Sequence, residues 1–531
     1  MGSLRDDLRD PSAYPGEPDG AIELIETHVS WVFLRETEVL KVKKPLDLGF
    51  LDFRTLEQRR EACEAEVRLN RRLSSDVYLD VVPIRLRQDG RHHLGNEGVV
   101  VDYGVRMRRL PDEKRADHLL ARGELDGTLI DEIARTLVRF HEEASTDEYI
   151  ASFGSTEVIE KSVRENFEQT RGVVHRYLEA SQAQAIESYQ LGFLRDRAAS
   201  FRRRAENGRV RDGHGDLRLE HIYLREDGSL TIIDCIEFNE RFRYADVAAD
   251  IAFLAMDLAF HGRLDLGERL LATYAREAGD YDLYELIDFY RSYRAYVRAK
   301  VSTFLADDEG ASSTVREKAA LDARRYFLLA LSIATPPPTE PMVIAVGGVL
   351  ASGKSTIANQ LGSLLSVPVV EADRTRKELL GISPWEPVHE RAWQGAYSPS
   401  RTAEVYDELF QRAGVVLDSG RTIIVDASFR AEAMRRKARE LAEARSLRFV
   451  FVECRAPHEV CRERLRRRER EGAISDGRLA IFDEFCARWE PVVELPPSEH
   501  LVLDTSGAIE TSVRELEAWL GLAPLSPRAE R

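Results

Sequence analysis

Pro341 to Thr356 reads PMVIAVGGVLASGKST. Gly348, Gly353, Lys354 and Ser355 in it fit the spacing G-x-x-x-x-G-K-[ST]. Glycines so placed let a loop turn its backbone N–H groups onto a phosphate chain. The lysine neutralises the terminal phosphates, and the serine hydroxyl can ligate Mg²⁺. Ser352 and Thr356 flank these positions and belong to the same candidate nucleotide-binding set. A second set lies earlier, in HGDLRLEHIYLREDGSLTIIDCIEF, residues 214–238. Asp216 and Asp234 stand at the two ends of a predicted hairpin whose turn is Asp227-Gly228. Phosphoryl transfer needs two such carboxylates, one to orient the acceptor hydroxyl and one to hold Mg²⁺ on the phosphates. A third set is Asp373 with Arg376 three residues on, followed by Asp426 at the end of the run RTIIVD.

These residues need elements to position them. Met342 to Val346 is a short apolar, β-branched run that predicts a buried strand, and Ile357 to Leu365 predicts the helix after the loop. The helix N-terminus adds its own dipole to anion binding. Val367–Glu371, Arg421–Val425, Arg448–Glu453 and Leu501–Asp504 read as further strands of a parallel α/β sheet. Asp373 then sits at a strand end, facing the phosphate loop, although a helix-capping role would suit it equally. Asp426 ends the third strand, where a carboxylate can order the water shell of Mg²⁺. Pro457 opens an arginine-crowded helix, HEVCRERLRRRERE, of which Arg464 and Arg468 share a face at i,i+4.

Upstream, Ala21–Glu26, Ser30–Leu34, Val39–Lys43, Val77–Leu86 and Val99–Arg108 read as strands, and Arg54–Leu73 as a helix. From about Thr128 to Ala330 the pattern is mostly helical, so a β-rich lobe precedes an α-rich one. Three consecutive prolines in SIATPPPTEP favour polyproline II and mark a linker. The boundaries read as 1–335 for a first domain, 336–340 for the linker and 341–531 for a second domain.

The segment HGDLRLEH…IID resembles the catalytic loop and metal-binding aspartate of aminoglycoside-phosphotransferase-like kinases. Their loop is H-G-D-x-x-x-x-N. The resemblance implies an α+β, bilobal, protein-kinase-like first domain. It gives Asp216 the role of base and Asp234 that of metal ligand. It makes Lys41 the strand lysine and Glu66 its helix partner, with Lys43 on the same strand face as the alternative. Asp246 and Asp250 match an acidic helix start whose role in that family is mainly structural. His221 stands where the family has its asparagine metal ligand. Imidazole is a poor Mg²⁺ ligand, so either Glu220 or water substitutes, or the metal site is weak and open to Mn²⁺. The loop expected over the phosphates, Thr27-His28-Val29-Ser30, has no glycine. These departures leave a nucleotide-sensing pseudokinase open as the alternative.

The second domain resembles an α/β P-loop NTPase with a parallel sheet. Its D-x-x-R element is similar to that of polynucleotide kinases, zeta toxins and small-molecule P-loop kinases. That resemblance makes Asp373 the acceptor base, Arg376 a substrate grip, and Arg464 and Arg468 the arginines of a lid. The implied whole is an ATP- and Mg²⁺-dependent phosphotransferase for a small-molecule hydroxyl, with a zeta-toxin-like kinase as the rival.

Composition narrows the classes. A chain of 531 residues exceeds one ordinary core. With 43% hydrophobic and 32% charged residues, the balance is that of a soluble globular protein. A net charge of −16 disfavours a nucleic-acid backbone as the main partner. No apolar run reaches the roughly 18 residues of a membrane span. The acidic N-terminus lacks the apolar core of a signal peptide. Five scattered cysteines without C-x-x-C predict free thiols in a reducing cytoplasm.

Overall fold

The computed structural model describes residues 3–15, 20–27, 29–47, 49, 51–336, 340–383, 385–386, 388, 393–471 and 477–521, with the backbone alone at 469–471. Packing divides the chain into two units. One comprises Met1–Gly262 and Phe289–Ala334, the other Arg263–Asp288 and Thr335–Arg531. Of the linker, residues 337–339 lie outside the described residues.

The first unit opens with six antiparallel strands: β1 (Glu23–Glu26), β2 (Ser30–Leu34), β3 (Glu38–Lys43), β4 (Tyr78–Leu86), β5 (His92–His93) and β6 (Val99–Arg108). Their order in the sheet is β1-β2-β3-β6-β4-β5. Strand β3 shows how the alternation works. Leu40 and Val42 join Phe33 and Ile84 in a core on one face. Lys41 and Lys43, two residues apart, must therefore point to the other face. The helix Leu56–Asn70 covers that face. A capping box starts it: the Thr55 hydroxyl accepts from the Gln58 N–H at 3.2 Å, and the Gln58 side chain accepts from the Thr55 N–H at 3.0 Å. Glu66 lies on its buried side.

The helical part of this unit carries two small ladders. Strand β7 (Val210–Asp212) pairs with β10 (Tyr244–Asp246), and β8 (Ile222–Leu224) with β9 (Leu230–Ile232). The β8–β9 hairpin, in register Ile222↔Ile232, brings the chain before β8 and the chain after β9 to one end. The helix Val247–Phe260 is apolar nearly all round and is buried accordingly.

The second unit holds β11 (Met342–Gly347), β12 (Val369–Glu371), β13 (Ile423–Asp426), β14 (Arg448–Arg455) and β15 (His500–Asp504), all parallel, in the order β12-β13-β11-β14-β15. Ile344, Val346, Ile424, Val450 and Val452 pack with the following helix in its core, so the strands read as continuous apolar runs. Strand order reverses between β11 and β13, and open parallel sheets bind ligands beyond the strand ends at such a point. The helix after β11 begins at Lys354, one turn before the expected Ile357. Gly353, with φ 94°, supplies the left-handed turn that starts it.

Residues Arg263–Asp288, assigned to the first domain by the sequence reading, pack with this second unit. Arg421 binds Glu268 at 2.7 Å and Asp288 at 2.9 Å, and the Tyr281 hydroxyl donates to the Val369 carbonyl at 2.6 Å. Among the described residues, no helix is long and apolar enough to cross a membrane. All five cysteines are free.

Candidate functional site

In the first unit Lys41 bridges two elements. Its Nζ lies 2.8 Å from Glu66 Oε1 and 2.6 Å from Asp234 Oδ1. Lys43 binds the other Glu66 oxygen at 2.6 Å and also reaches Glu237. Lysines and glutamates alternate in a dry pocket, so each charge has a partner. Burial pushes the Glu66 carboxyl up, but Lys41 and Lys43 outweigh it and hold Glu66 below its ordinary value. At Glu237 burial wins over Lys43, and the carboxyl is raised. Asp234 has a left-handed backbone, φ 67°, uncommon for a residue with a side chain. Its N–H donates to the Tyr78 hydroxyl at 3.1 Å. Burial raises the Asp234 pKa, yet Lys41 and His221 more than compensate, and it lies well below the usual carboxylate range.

The loop before β8 is built around Asp250. Its carboxylate accepts from the His214 N–H at 2.7 Å and the Gly215 N–H at 2.9 Å. Asp246 instead caps its helix and binds Arg204 at 2.7 and 2.8 Å. Arg218 grips Asp216 with two hydrogen bonds, 3.0 and 2.8 Å, and also contacts Glu220. Burial pushes Asp216 up, but Arg218 and His221 hold it far below its ordinary value, so it is a carboxylate at neutral pH. His221 Nδ1 is 2.8 Å from the Asp216 carbonyl, which assigns the proton to Nδ1. The Nε2 lone pair then accepts from Arg218 Nη2 at 3.4 Å and lies 3.5 Å from Asp234 Oδ2. The pair of groups here is one carboxylate and one imidazole nitrogen, a poorer match to Mg²⁺ than to later divalent metals. Of the expected phosphate-covering loop, Thr27 and Ser30 close a turn, the Ser30 N–H donating to Thr27 Oγ1 at 2.9 Å, while His28 lies outside the described residues.

His214 is fully buried, and its Nε2 lies 3.0 Å from the Ile233 carbonyl. Burial drives its pKa down to about 4, against the pull of Asp250. A histidine depressed in the fold is protonated first in the unfolded chain, at about 6.5. Acidification through the window from about 6.5 to about 4 therefore favours unfolding. Between pH 7 and pH 5 the first unit should lose about 2 kcal/mol from this group. Denaturant unfolding of wild type and His214→Gln at both pH values checks it. The variant should lack that part of the pH dependence, and equal slopes would refute the assignment.

In the second unit Asp426 ends β13 in register with Val346 of β11 and Glu371 of β12. It is buried, and its Oδ1 has no hydrogen-bond partner. Desolvation drives its pKa up to about 7, opposed by Lys354 and a Ser355 hydrogen bond and assisted by Glu371 and Asp373. An orphaned buried carboxylate oxygen next to a serine hydroxyl suits a hard cation, so Ser355 and Asp426 fit a Mg²⁺ site. The phosphate loop fits an anion. A Cβ at Gly348, φ 148°, would collide with the Ser352 hydroxyl and the Cys454 carbonyl. The first intrahelical bond runs from the Ile357 N–H to Gly353 O at 3.0 Å, so the N–H groups from Gly353 to Thr356 precede the ladder and are left for a ligand. Among the described residues, no three His, Cys, Asp or Glu side chains form a ready metal cage. Mg²⁺ on nucleotides characteristically takes only one or two protein ligands.

Arg376 donates to Asp373 at 3.2 Å and to the Ala396 carbonyl at 3.1 Å, and lies over the Tyr397 ring. Arg464 and Arg468 share a helix face but part company. Arg464 donates to the Ala351 carbonyl at 3.3 Å and the Thr505 carbonyl at 2.6 Å, so it braces the phosphate loop rather than standing free as a lid. Arg468 is pulled below its ordinary pKa by burial while feeling the charges of Asp373 and Asp426.

Several residues at these sites escape sequence reasoning. Glu237 lies three residues beyond Asp234, and its acidic type was the only clue to Lys43. Arg218 is two residues beyond Asp216. The Thr505 hydroxyl donates to the Ser352 carbonyl and its N–H to the Arg455 carbonyl at 2.9 Å, tying the end of β15 to the phosphate loop. Its one signal is its place just after a strand end beside β14.

The chain matches the model of the phosphotransferase enzyme family over residues 35–291 and that of an AAA domain over residues 343–492. An uncharacterized protein of Mycobacterium tuberculosis is 34% identical over 507 residues, spanning 94% of this chain and 96% of that protein, and one of Mycobacterium bovis matches equally. Aminoglycoside 2'-phosphotransferase-IIIa in its GDP complex covers 62% of this chain and 99% of its own at 15% identity and a TM-score of 0.38. A gluconokinase from Sinorhizobium meliloti covers 34% and 93% at 21% identity and a TM-score of 0.26. At those scores the two structures carry no argument. The full-length identity and the two family matches do: the chain belongs to the family of these mycobacterial proteins, and in this chain a phosphotransferase-family kinase domain is fused to a C-terminal P-loop kinase-type domain.

Proposed function

We propose that the chain is an ATP-dependent phosphotransferase with two nucleotide sites, and that the P-loop unit transfers the γ-phosphoryl group to a hydroxyl of a small molecule. The observation that carries this reading is Asp426. A carboxylate buried without a partner for Oδ1, beside Lys354 and Ser355, is costly by itself and would be relieved by a metal–phosphate ligand. Loop N–H groups and Lys354 hold the phosphates. Asp373 accepts the proton of the acceptor hydroxyl as its oxygen bonds to the γ-phosphorus and the bond to the β,γ-bridging oxygen breaks. Arg376 orients Asp373, and Arg468 faces the charge that builds on the transferred group. When bound, Mg²⁺ at Ser355 and Asp426 supplies neutralising charge on the phosphate oxygens.

Asp373→Asn should spare ATP binding and lower turnover by roughly 10²–10⁴, the usual scale for a general base. ATP consumption by the full chain against sugars, amino sugars, nucleosides and aminoglycosides measures it. Intact turnover would make Asp373 a helix cap.

For the first unit the same chemistry would use Asp216 as base and Asp234 as metal ligand. The double grip of Arg218 on Asp216 favours a second reading, in which this unit binds nucleotide as a sensor and does not transfer phosphate.

A further inference from the structure

A cleft in the first unit is lined by neither Asp216 nor Asp234 and holds an unbalanced cation. Its volume is about 40 Å³, room for three or four water molecules and so for an acid of about four heavy atoms. Phe153, Tyr244, Tyr290 and Tyr293 supply aromatic walls, Ser162 stands in the wall formed by the helix Thr156–Thr170, and Arg294 reaches in from the helix Ile287–Asp307.

Arg294 is only 6% exposed. Its Nε is buried with no hydrogen-bond partner, and among the described residues no carboxylate forms an ion pair with it. Its guanidinium lies over two rings, 4.8 Å from the centre of Phe253 and 5.7 Å from that of Tyr293. The other charged groups of the lining are neutralised. Arg241 is held by Glu165 at 3.0 and 2.7 Å. Asp246 is held by Arg204 at 2.7 and 2.8 Å, and its Oδ1 also accepts from the Ala248 N–H at 2.9 Å. Cation–π contact offsets part of the desolvation of a buried guanidinium but leaves its Nε–H donor unused. An anion completes such a site, and one unpaired guanidinium matches a singly charged head better than a phosphate. The rings around it suit a short apolar group.

We propose that this cleft binds a small carboxylate of the size of acetate, its carboxylate on Arg294 and its methyl group among the aromatic rings. The test uses the full chain, with acetate as probe and the neutral isostere acetamide as control, followed by calorimetry. Wild type should bind one acetate saturably and acetamide at least about tenfold more weakly. Arg294→Met should weaken acetate roughly 10- to 100-fold, the range for a charge-assisted hydrogen bond. Ser162→Phe fills the cleft from the helix Thr156–Thr170, leaves Arg294 in place and should abolish binding. This second variant decides the matter if Arg294→Met does not fold. Absence of acetate binding in wild type, or equal binding by wild type and Ser162→Phe, would overturn the proposal.

Discussion

Lys354→Ala is expected to leave the full-length chain with one ATP site in place of two. Lys354 is the first residue of its helix, at the point where the unpaired N–H groups converge. Removing it takes away the side-chain cation of the loop, and with it the charge that restrains the Asp426 carboxyl. That carboxyl is already raised to about 7 by burial, with Lys354 the strongest of the opposing influences. Without the lysine it shifts further toward its neutral form, so the site loses a phosphate contact and part of its capacity to hold a cation together. The two losses should weaken nucleotide at this unit by at least about a hundredfold. Calorimetric titration with Mg·ATP reads the stoichiometry directly. Retention of two sites at unchanged affinity would sink the assignment.

How far these sites can be read from sequence depends on the range of the contacts. The phosphate loop and the pair Asp216 and Asp234 are legible because local spacing dictates their geometry: a strand, a loop and a helix, or a hairpin with a turn. Lys41 and Glu66 are legible only through family resemblance, since a strand lysine and a helix glutamate are common surface residues. Glu237 is not legible, because its partner Lys43 lies 194 positions away in the chain. Arg464 and Arg468 look equivalent at i,i+4. One turn of helix puts the first against the Ala351 carbonyl and the second within the field of Asp373. The packing of residues 263–288 with the second unit is hidden for the same reason. Arg421 finds Glu268 and Asp288 at separations of 153 and 133 residues, and no local pattern records such a match. The helix start at Lys354 is missed because G-K-S-T has no apolar periodicity, while the left-handed Gly353 sets the start by backbone conformation.

Asp234→Ala is expected to abolish metal-dependent nucleotide binding at the first unit, whereas Asp216→Ala should leave binding intact and remove only transfer. The difference follows from their neighbours. Asp234 faces both Lys41 at 2.6 Å and the His221 Nε2 at 3.5 Å, so it is the carboxylate that a cation and a phosphate would share. Asp216 is occupied by Arg218 and lies on the acceptor side of the loop in the family resemblance. Lys41 keeps Glu66 at 2.8 Å after Asp234 is removed, so the lobe should still fold. His221 adds a metal preference. With Nδ1 committed to the Asp216 carbonyl, its Nε2 offers a nitrogen where a hard oxygen would suit Mg²⁺ better. Mn²⁺ should therefore support nucleotide binding at this unit better than Mg²⁺, and His221→Asn should shift the preference back. The Lys354→Ala chain, with only the first unit able to bind nucleotide, is the protein to titrate with each metal. Binding that ignores the metal and survives Asp234→Ala would make this unit a pseudokinase sensor. No nucleotide binding there at all would reduce it to a scaffold for the P-loop unit.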